Sequence, residues 1–162
     1  MDHNLQDTRG AIVEAHSRMV WRIALSHTRR VDAAEEVFQE VFLRFFEKER
    51  EFQNDEHLKA WLIRTTLICC KRYQSALYQH TTLNLEEIRS LAALPEEDGI
   101  LAEVLFSMPE KYRLPIQLHF MEGLSAEECA HALGLRLGTF RMRLTRGKRM
   151  LKELLKGEGI DV

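Results

Sequence analysis

The feature that constrains the fold most is a short segment near the end of the chain that has the pattern of a capped helix and is followed directly by a basic segment. Ser125 and Glu128 have the S-x-x-E spacing of a capping box, in which the serine caps the first amides of a helix and the glutamate returns the bond. Gly134 fits the left-handed position that ends such a helix. A second helix is predicted over 137–155, and its inner face is Phe140, Leu144, Gly147, Leu151 and Leu154.

The second helix is strongly basic, with seven cations and no acid over residues 136–152. Because these cations have no acids to pair with, they repel one another, and a solvated surface helix is the weaker interpretation. Gly138 and Thr139 are small enough to let the start of the helix approach a DNA backbone closely. The pattern predicts a helix-turn-helix, whose second helix enters the major groove with its cations near phosphates.

The rest of the chain has helical patterning too. Its 162 residues, 45% hydrophobic and 30% charged, allow one ordinary domain or two small ones. Apolar residues recur at three- and four-residue steps over 11–28, 33–50 and 56–78, which predicts three amphipathic helices. No segment shows the sustained alternation of a strand, so we expect an all-α fold.

Residues 79–98 lose this periodicity and mix Thr, Asn, Ser and acids, which is typical of a linker. We therefore expect two small helical domains, 1–78 and 99–162, joined by a flexible linker over 79–98. Two residues conflict with the predicted helices. Pro115 would kink its helix or force it to begin near Arg113. Arg136 occupies an N-cap position where Ser or Asn would be worth about 0.5–2 kcal/mol.

Charge is segregated along the chain although the net charge is only −2. Basic residues collect in 57–73 and 136–152, where no acid occurs, while acids collect in 32–56 and 86–98. Two basic strips on an acidic body are typical of separate contacts to phosphate and to a protein partner.

Other function classes find little support in the composition. The three cysteines form no CxxC pair and the seven histidines show no HExxH spacing, so we expect no metal and no cofactor. No run reaches the roughly 18 consecutive apolar residues that a membrane helix needs. The N-terminus lacks the basic and apolar regions of a signal peptide, so we expect a cytoplasmic protein with no membrane insertion of its own.

Several short motifs, taken in order, resemble the extracytoplasmic-function (ECF) group of bacterial sigma factors. The resemblance covers residues 10–78, called region 2 in that family, and residues 99–156, called region 4. Its motifs are DAAEEVFQEVFLR from Asp32 to Arg44, KAWLIR from Lys59 to Arg64, MPEKYR from Met108 to Arg113, EGLS from Glu122 to Ser125, ALG from Ala132 to Gly134, and Gly138-Thr139.

The resemblance implies a non-enzymatic protein that binds RNA polymerase core, recognises promoter DNA and opens its upstream end. An anti-sigma factor is the further partner that the family implies. The polar stripe of the second helix would dock on the clamp helices of the largest polymerase subunit, through Glu36, Gln39, Glu40, Leu43 and Arg44. From the residues alone, the same stripe is a solvated acidic face over a Phe-rich core.

The resemblance places the minus-ten element against the loop at 51–57 and the start of the third helix. The candidates to hold an unstacked base are Phe52, Gln53, Asn54, His57 and Lys59, with Trp61 either stacking on a base or packing in the core. Arg64, Lys71 and Arg72 would hold phosphates, and ordinary surface charge is the alternative. Family members often carry Asn and Asp where this chain has Ile68 and Arg72, a difference that bears on promoter melting.

The minus-thirty-five element would meet the second helix of region 4 in the major groove. The candidate contacts are Arg136, Leu137, Thr139, Arg141, Arg143, Arg146 and Lys148, while Phe140 is expected in the core. Two other functions stay open from the sequence. One is a helix-turn-helix regulator that acts without polymerase core, and the other is a small helical metal-dependent hydrolase, for which convergent ligands are lacking.

Overall fold

The structure, a computed structural model, describes residues 2–47, 52–74 and 99–160. The chain divides into two compact units, Met1–Leu83 and Asn84–Val162. Within the described ranges all regular structure is helical, which confirms the predicted all-α fold of two small domains. The predicted linker at 79–98 lies outside the described residues, and the exact domain boundaries stay a prediction.

The N-terminal unit contains three long helices. They are α1 (Asp2–Thr28), α2 (Val31–Glu47) and α3 (Asp55–Lys71), and a 3-10 helix over Arg72–Gln74 follows directly. α1 begins well before the predicted 11, in a polar stretch where apolar spacing carries no signal. α2 is described as far as Glu47, and the last residues of the helices predicted to 50 and to 78 lie outside the described residues.

Apolar stripes of the three helices form the core of this unit. Val20, Ile23, Val37, Leu62 and Ile63 are fully buried. Burying aliphatic side chains of this size contributes about 1.5–3 kcal/mol each, which fixes the rotation of each helix about its axis. As a result, the polar stripe of α2 and the basic side of α3 face the solvent.

In the C-terminal unit, short helical segments precede one long helix. The unit contains α4 (Gly99–Ser107), α5 (Glu110–Ile116), a π-helix (Gln117–Met121), α6 (Ala126–Leu133) and α7 (Leu137–Gly157). Pro115 lies inside α5, which begins at Glu110, so the start expected near Arg113 is wrong. Proline lacks the amide that would bond one turn back, and the backbone widens into the π-helix two residues later.

α7 packs closely on α5 and supplies the centre of the second core. Phe140 is fully buried, as expected, and Gly147 lets the two helices approach each other. A Cβ atom at residue 147 would lie 2.9 Å from the Tyr112 carbonyl oxygen. Leu154 was predicted on the inner face of α7, but it is 39% exposed, and Leu155 is buried instead. The two residues flank the centre of the stripe, so tertiary packing decides between them.

Candidate polymerase-binding and DNA-binding surfaces

The turn between α6 and α7 has the predicted helix-turn-helix geometry. The Glu128 amide donates to Ser125 Oγ at 3.1 Å, and the Ser125 amide donates to Glu128 Oε1 at 3.2 Å, which completes the capping box. Gly134 ends α6 with φ of 68°, a left-handed conformation that favours glycine. Arg136 is the N-cap of α7 and makes no side-chain capping bond within the described chain, as its residue type predicts.

The predicted minus-thirty-five residues lie at the N-cap of α7 and along the helix as far as Lys148, and we call them the α7 basic surface. Arg136, Arg141, Arg146 and Lys148 are exposed, while Arg143 is half-buried. Leu137 and Thr139 are half-buried as well. The Arg141 guanidinium lies 3.9 Å from a carboxylate oxygen of Glu127 on α6, and both side chains are more than half exposed. Water screens such a pair, so it holds Arg141 only weakly.

The predicted polymerase-binding residues lie along one side of α2, which we call the α2 polar face. Glu36, Gln39 and Leu43 are exposed, and Leu43 reaches 61%. Glu40 and Arg44 are half-buried and pair with each other, the Arg44 guanidinium donating to Glu40 Oε1 at 2.9 Å. The face thus presents an apolar side chain among groups that donate and accept hydrogen bonds.

The end of α3 reaches the α2 polar face. Arg72 donates from Nη1 to Glu40 Oε1 at 2.6 Å, and the Tyr73 hydroxyl donates to Glu36 Oε2 at 2.7 Å. Arg72 was predicted to hold promoter phosphate, and the structure brings it together with a predicted polymerase-binding residue. Tyr73 was not among the residues predicted for either surface. The sequence offers one weak indication of this contact: Arg72 and Tyr73 are adjacent, and Glu36 and Glu40 are one helical turn apart.

The predicted minus-ten loop is ordered by the start of α3. Asn54 is the N-cap of α3, and its side-chain oxygen accepts from the His57 amide at 2.7 Å. The Gln53 amide donates to His57 Nδ1 at 3.3 Å. Gln53, Asn54 and His57 are exposed, whereas Phe52, Lys59 and Trp61 are half-buried. The loop therefore presents polar groups to solvent while its aromatic residues turn toward the fold.

The solvent side of α3 carries the predicted phosphate-binding residues. Arg64, Lys71 and Arg72 are exposed along this side. Ile68 lies among them and is 44% exposed, an apolar group within a basic surface. Its exposure follows from the helical spacing, which places it four residues from both Arg64 and Arg72.

Buried thiols lie behind these surfaces. Cys69, Cys70 and Cys129 are all buried. Burial, together with the nearby Glu40 carboxylate, raises the pKa of the Cys69 thiol to about 11. Among the described residues, no group of three His, Cys, Asp or Glu side chains could hold a metal ion. Helices long and apolar enough to cross a bilayer are also lacking in that part of the chain.

Comparison with known proteins agrees with this arrangement. The family model for Sigma-70 region 2 matches residues 12–76, and the model for Sigma-70 region 4 matches residues 98–151. SigE of Mycolicibacterium smegmatis, an ECF RNA polymerase sigma factor, is 30% identical over 89% of this chain and 60% of its own length. The RNA polymerase sigma factor SigV of Bacillus subtilis is 26% identical over 96% of this chain and 98% of its own.

A solved structure shares the fold as well. It is the sigma factor RpoE of Bartonella quintana, determined in complex with the anti-sigma factor NepR. The TM-score is 0.65 at 21% identity, and the match covers 94% of this chain and 97% of that one. With both regions matched in order, the chain belongs to the sigma-70 family of RNA polymerase sigma factors, in its ECF group.

Proposed function

We propose that this chain binds RNA polymerase core and directs promoter-specific initiation by contacting two promoter elements. The observation that carries the proposal is the exposure of the Leu43 side chain, which reaches 61% on the α2 polar face. Helical spacing places Leu43 on the same side of α2 as Glu36, Gln39 and Glu40. Apolar groups ringed by polar ones suit a protein interface.

The α7 basic surface is proposed to bind the minus-thirty-five element. Arg141 stands in the second turn of α7, near the end that a helix-turn-helix inserts into the major groove. The first turn of α7 contains no acid, so its amides and positive dipole end favour a phosphate. Arg146 and Lys148, further along, suit phosphate contacts that position the helix without reading sequence.

The loop before α3 is proposed to hold an unstacked base of the minus-ten element. Gln53, Asn54 and His57 offer exposed amide and imidazole groups, which suit the edge of a base. Arg64 and Lys71 would follow the backbone of the same strand. The roles of Phe52, Lys59, Trp61 and Arg72 in DNA binding stay part of this proposal.

The proposal extends to partners and location. An anti-sigma factor is a proposed partner, since the sigma factor RpoE of similar fold was solved with one. We place the chain in the cytoplasm with the polymerase. It works by binding and carries out no bond chemistry of its own.

Transcription with purified core polymerase tests the proposal. Run-off reactions on a library of promoter fragments should give discrete transcripts only when the chain is added, and the chain should co-elute with core. A helix-turn-helix regulator acting alone would bind duplex DNA without co-eluting, and that result would overturn the proposal.

A further inference from the structure

In the N-terminal unit, one carboxylate oxygen accepts hydrogen bonds from two guanidinium groups. Glu40 Oε1 accepts from Arg44 at 2.9 Å and from Arg72 at 2.6 Å. Arg44 lies on the same helix as Glu40, one turn away, but Arg72 comes from the end of α3. The contact therefore ties together two surfaces that the proposed function assigns to different partners.

A second contact runs in parallel with the first. The Tyr73 hydroxyl donates to Glu36 Oε2 at 2.7 Å, one helical turn from Glu40 along α2. The chain tightens into a 3-10 helix at Arg72, whose amide bonds back to the carbonyls of Cys69 and Cys70. Two adjacent residues thus bind two carboxylates of the α2 polar face, and we call these paired contacts the clasp.

We propose that the clasp is an intramolecular competitor, which holds Arg72 away from DNA phosphate and occupies Glu36 and Glu40 until polymerase core binds. This inference rests on the proposed function of the α2 polar face. A guanidinium that donates to a carboxylate is less available to a phosphate, and that carboxylate is less available to a polymerase residue. Core binding that draws Glu40 away would release Arg72 to the promoter.

The clasp biases binding without blocking it. The Arg72 side chain is 60% exposed and that of Glu40 is 24% exposed, so water competes for the contact. A contact of this kind lowers the competent fraction of each surface by about two- to fivefold. Linkage makes the effect reciprocal, because any group that opens the clasp for one partner opens it for the other.

Charge-matched variants of the full chain test the DNA side of the clasp. The probe is a fluorescently labelled single-stranded DNA 15-mer of mixed sequence, because a phosphate contact carries no sequence information. Glu40→Gln should raise affinity for this DNA about two- to fivefold more than Glu35→Gln, which removes the same charge from an exposed site on α2. Adding Arg72→Gln to Glu40→Gln should abolish that extra gain.

A second pair of variants tests the effect of the clasp on binding to core polymerase. Arg72→Gln should raise affinity for core polymerase about two- to fivefold, whereas Arg18→Gln, which removes one exposed cation from α1, should not. Equal DNA gains for Glu40→Gln and Glu35→Gln, or a gain that survives Arg72→Gln, would overturn the clasp. Failure of the wild-type chain to bind core would overturn the proposed function instead, while the DNA measurements still decide whether Arg72 is held back.

Discussion

The rings of Phe52 and Trp61 meet edge to face with their centroids 5.9 Å apart. His57 contacts Phe52 in the same manner at 5.4 Å, and Phe45 of α2 lies 6.3 Å from both Phe52 and Trp61. The aromatic residues predicted to stack on a promoter base therefore pack against one another in the free chain. Packing within the N-terminal unit therefore accounts for part of the role of these aromatic residues. They can contact a promoter base only if the cluster opens.

Replacing Phe52 should therefore weaken the fold of the N-terminal unit. Phe52→Ala is expected to lower its unfolding free energy by about 1–2 kcal/mol, since the ring is half-buried and has three aromatic neighbours. Urea unfolding followed by tryptophan fluorescence measures this unit alone, because both tryptophans, Trp21 and Trp61, lie in it. Gln53→Ala, at an exposed neighbour, should change little. An unaltered midpoint for Phe52→Ala would mean that the cluster contributes no stability.

The contact between α5 and α7 depends on the absence of a side chain at residue 147. Gly147→Ala is expected to cost about 1–3 kcal/mol, because its Cβ would lie 2.9 Å from the Tyr112 carbonyl oxygen and 3.0 Å from Ile116 Cδ1. Far-UV circular dichroism should show the loss in the C-terminal unit while tryptophan fluorescence stays unchanged. Gly138→Ala is the control, since none of the described atoms lies within 4 Å of its Cβ. Equal stability of the two variants would refute the close approach.

The two helix caps of the helix-turn-helix should respond in opposite directions. Ser125→Ala removes the hydroxyl that accepts from the Glu128 amide, one of the two bonds of the capping box, and is expected to destabilise the unit by about 0.5–2 kcal/mol. Arg136→Ser supplies the missing cap and should stabilise it by up to about 1 kcal/mol. The same change should weaken duplex DNA binding and reduce its logarithmic salt slope by about one, since one cation is lost. Thermal unfolding and a salt titration of DNA binding measure the two effects, and a stabilised Arg136→Ser variant with undiminished binding would exclude Arg136 from the interface.

Local signals account for what the sequence predicted well. Ser125, Glu128 and Gly134 act within a few residues of themselves, so their residue types alone indicate where α6 begins and ends. Phe140 lies on a helical stripe whose period can be counted along the chain. The exposed positions of Gln39 and Leu43 follow from the same period on α2.

Contacts between distant segments could not be predicted in this way. Arg72 and Glu40 are 32 residues apart, and their pairing depends on how α3 crosses α2. The choice of Leu155 over Leu154 depends on the neighbouring helices, because both flank the stripe. The continuation of α5 through Pro115 is a third case, since surrounding packing outweighs the cost of one missing amide.

The thiol of Cys69 should be unreactive in the folded chain. Its pKa is raised to about 11, so below that pH the folded thiol stays protonated, whereas an unfolded thiol ionises near 9.0. The unfolded state therefore loses its proton first, and stability should fall as pH rises from about 9 to about 11. Urea midpoints across this range measure the fall, and Cys69→Ala should flatten it. Fast labelling of Cys69 by iodoacetamide at pH 8 without denaturant would contradict its burial.

Promoter-specific transcription by two separation-of-function variants distinguishes polymerase binding from DNA binding. Gln39→Ala combined with Leu43→Ala should lower affinity for core polymerase at least about tenfold and abolish run-off transcription, with duplex DNA binding unchanged. Arg141→Ala combined with Arg143→Ala should bind core normally but lose transcription and duplex DNA binding. If the Gln39→Ala and Leu43→Ala double variant transcribes as well as the wild-type chain, the α2 polar face is not the polymerase contact and the proposed function is wrong.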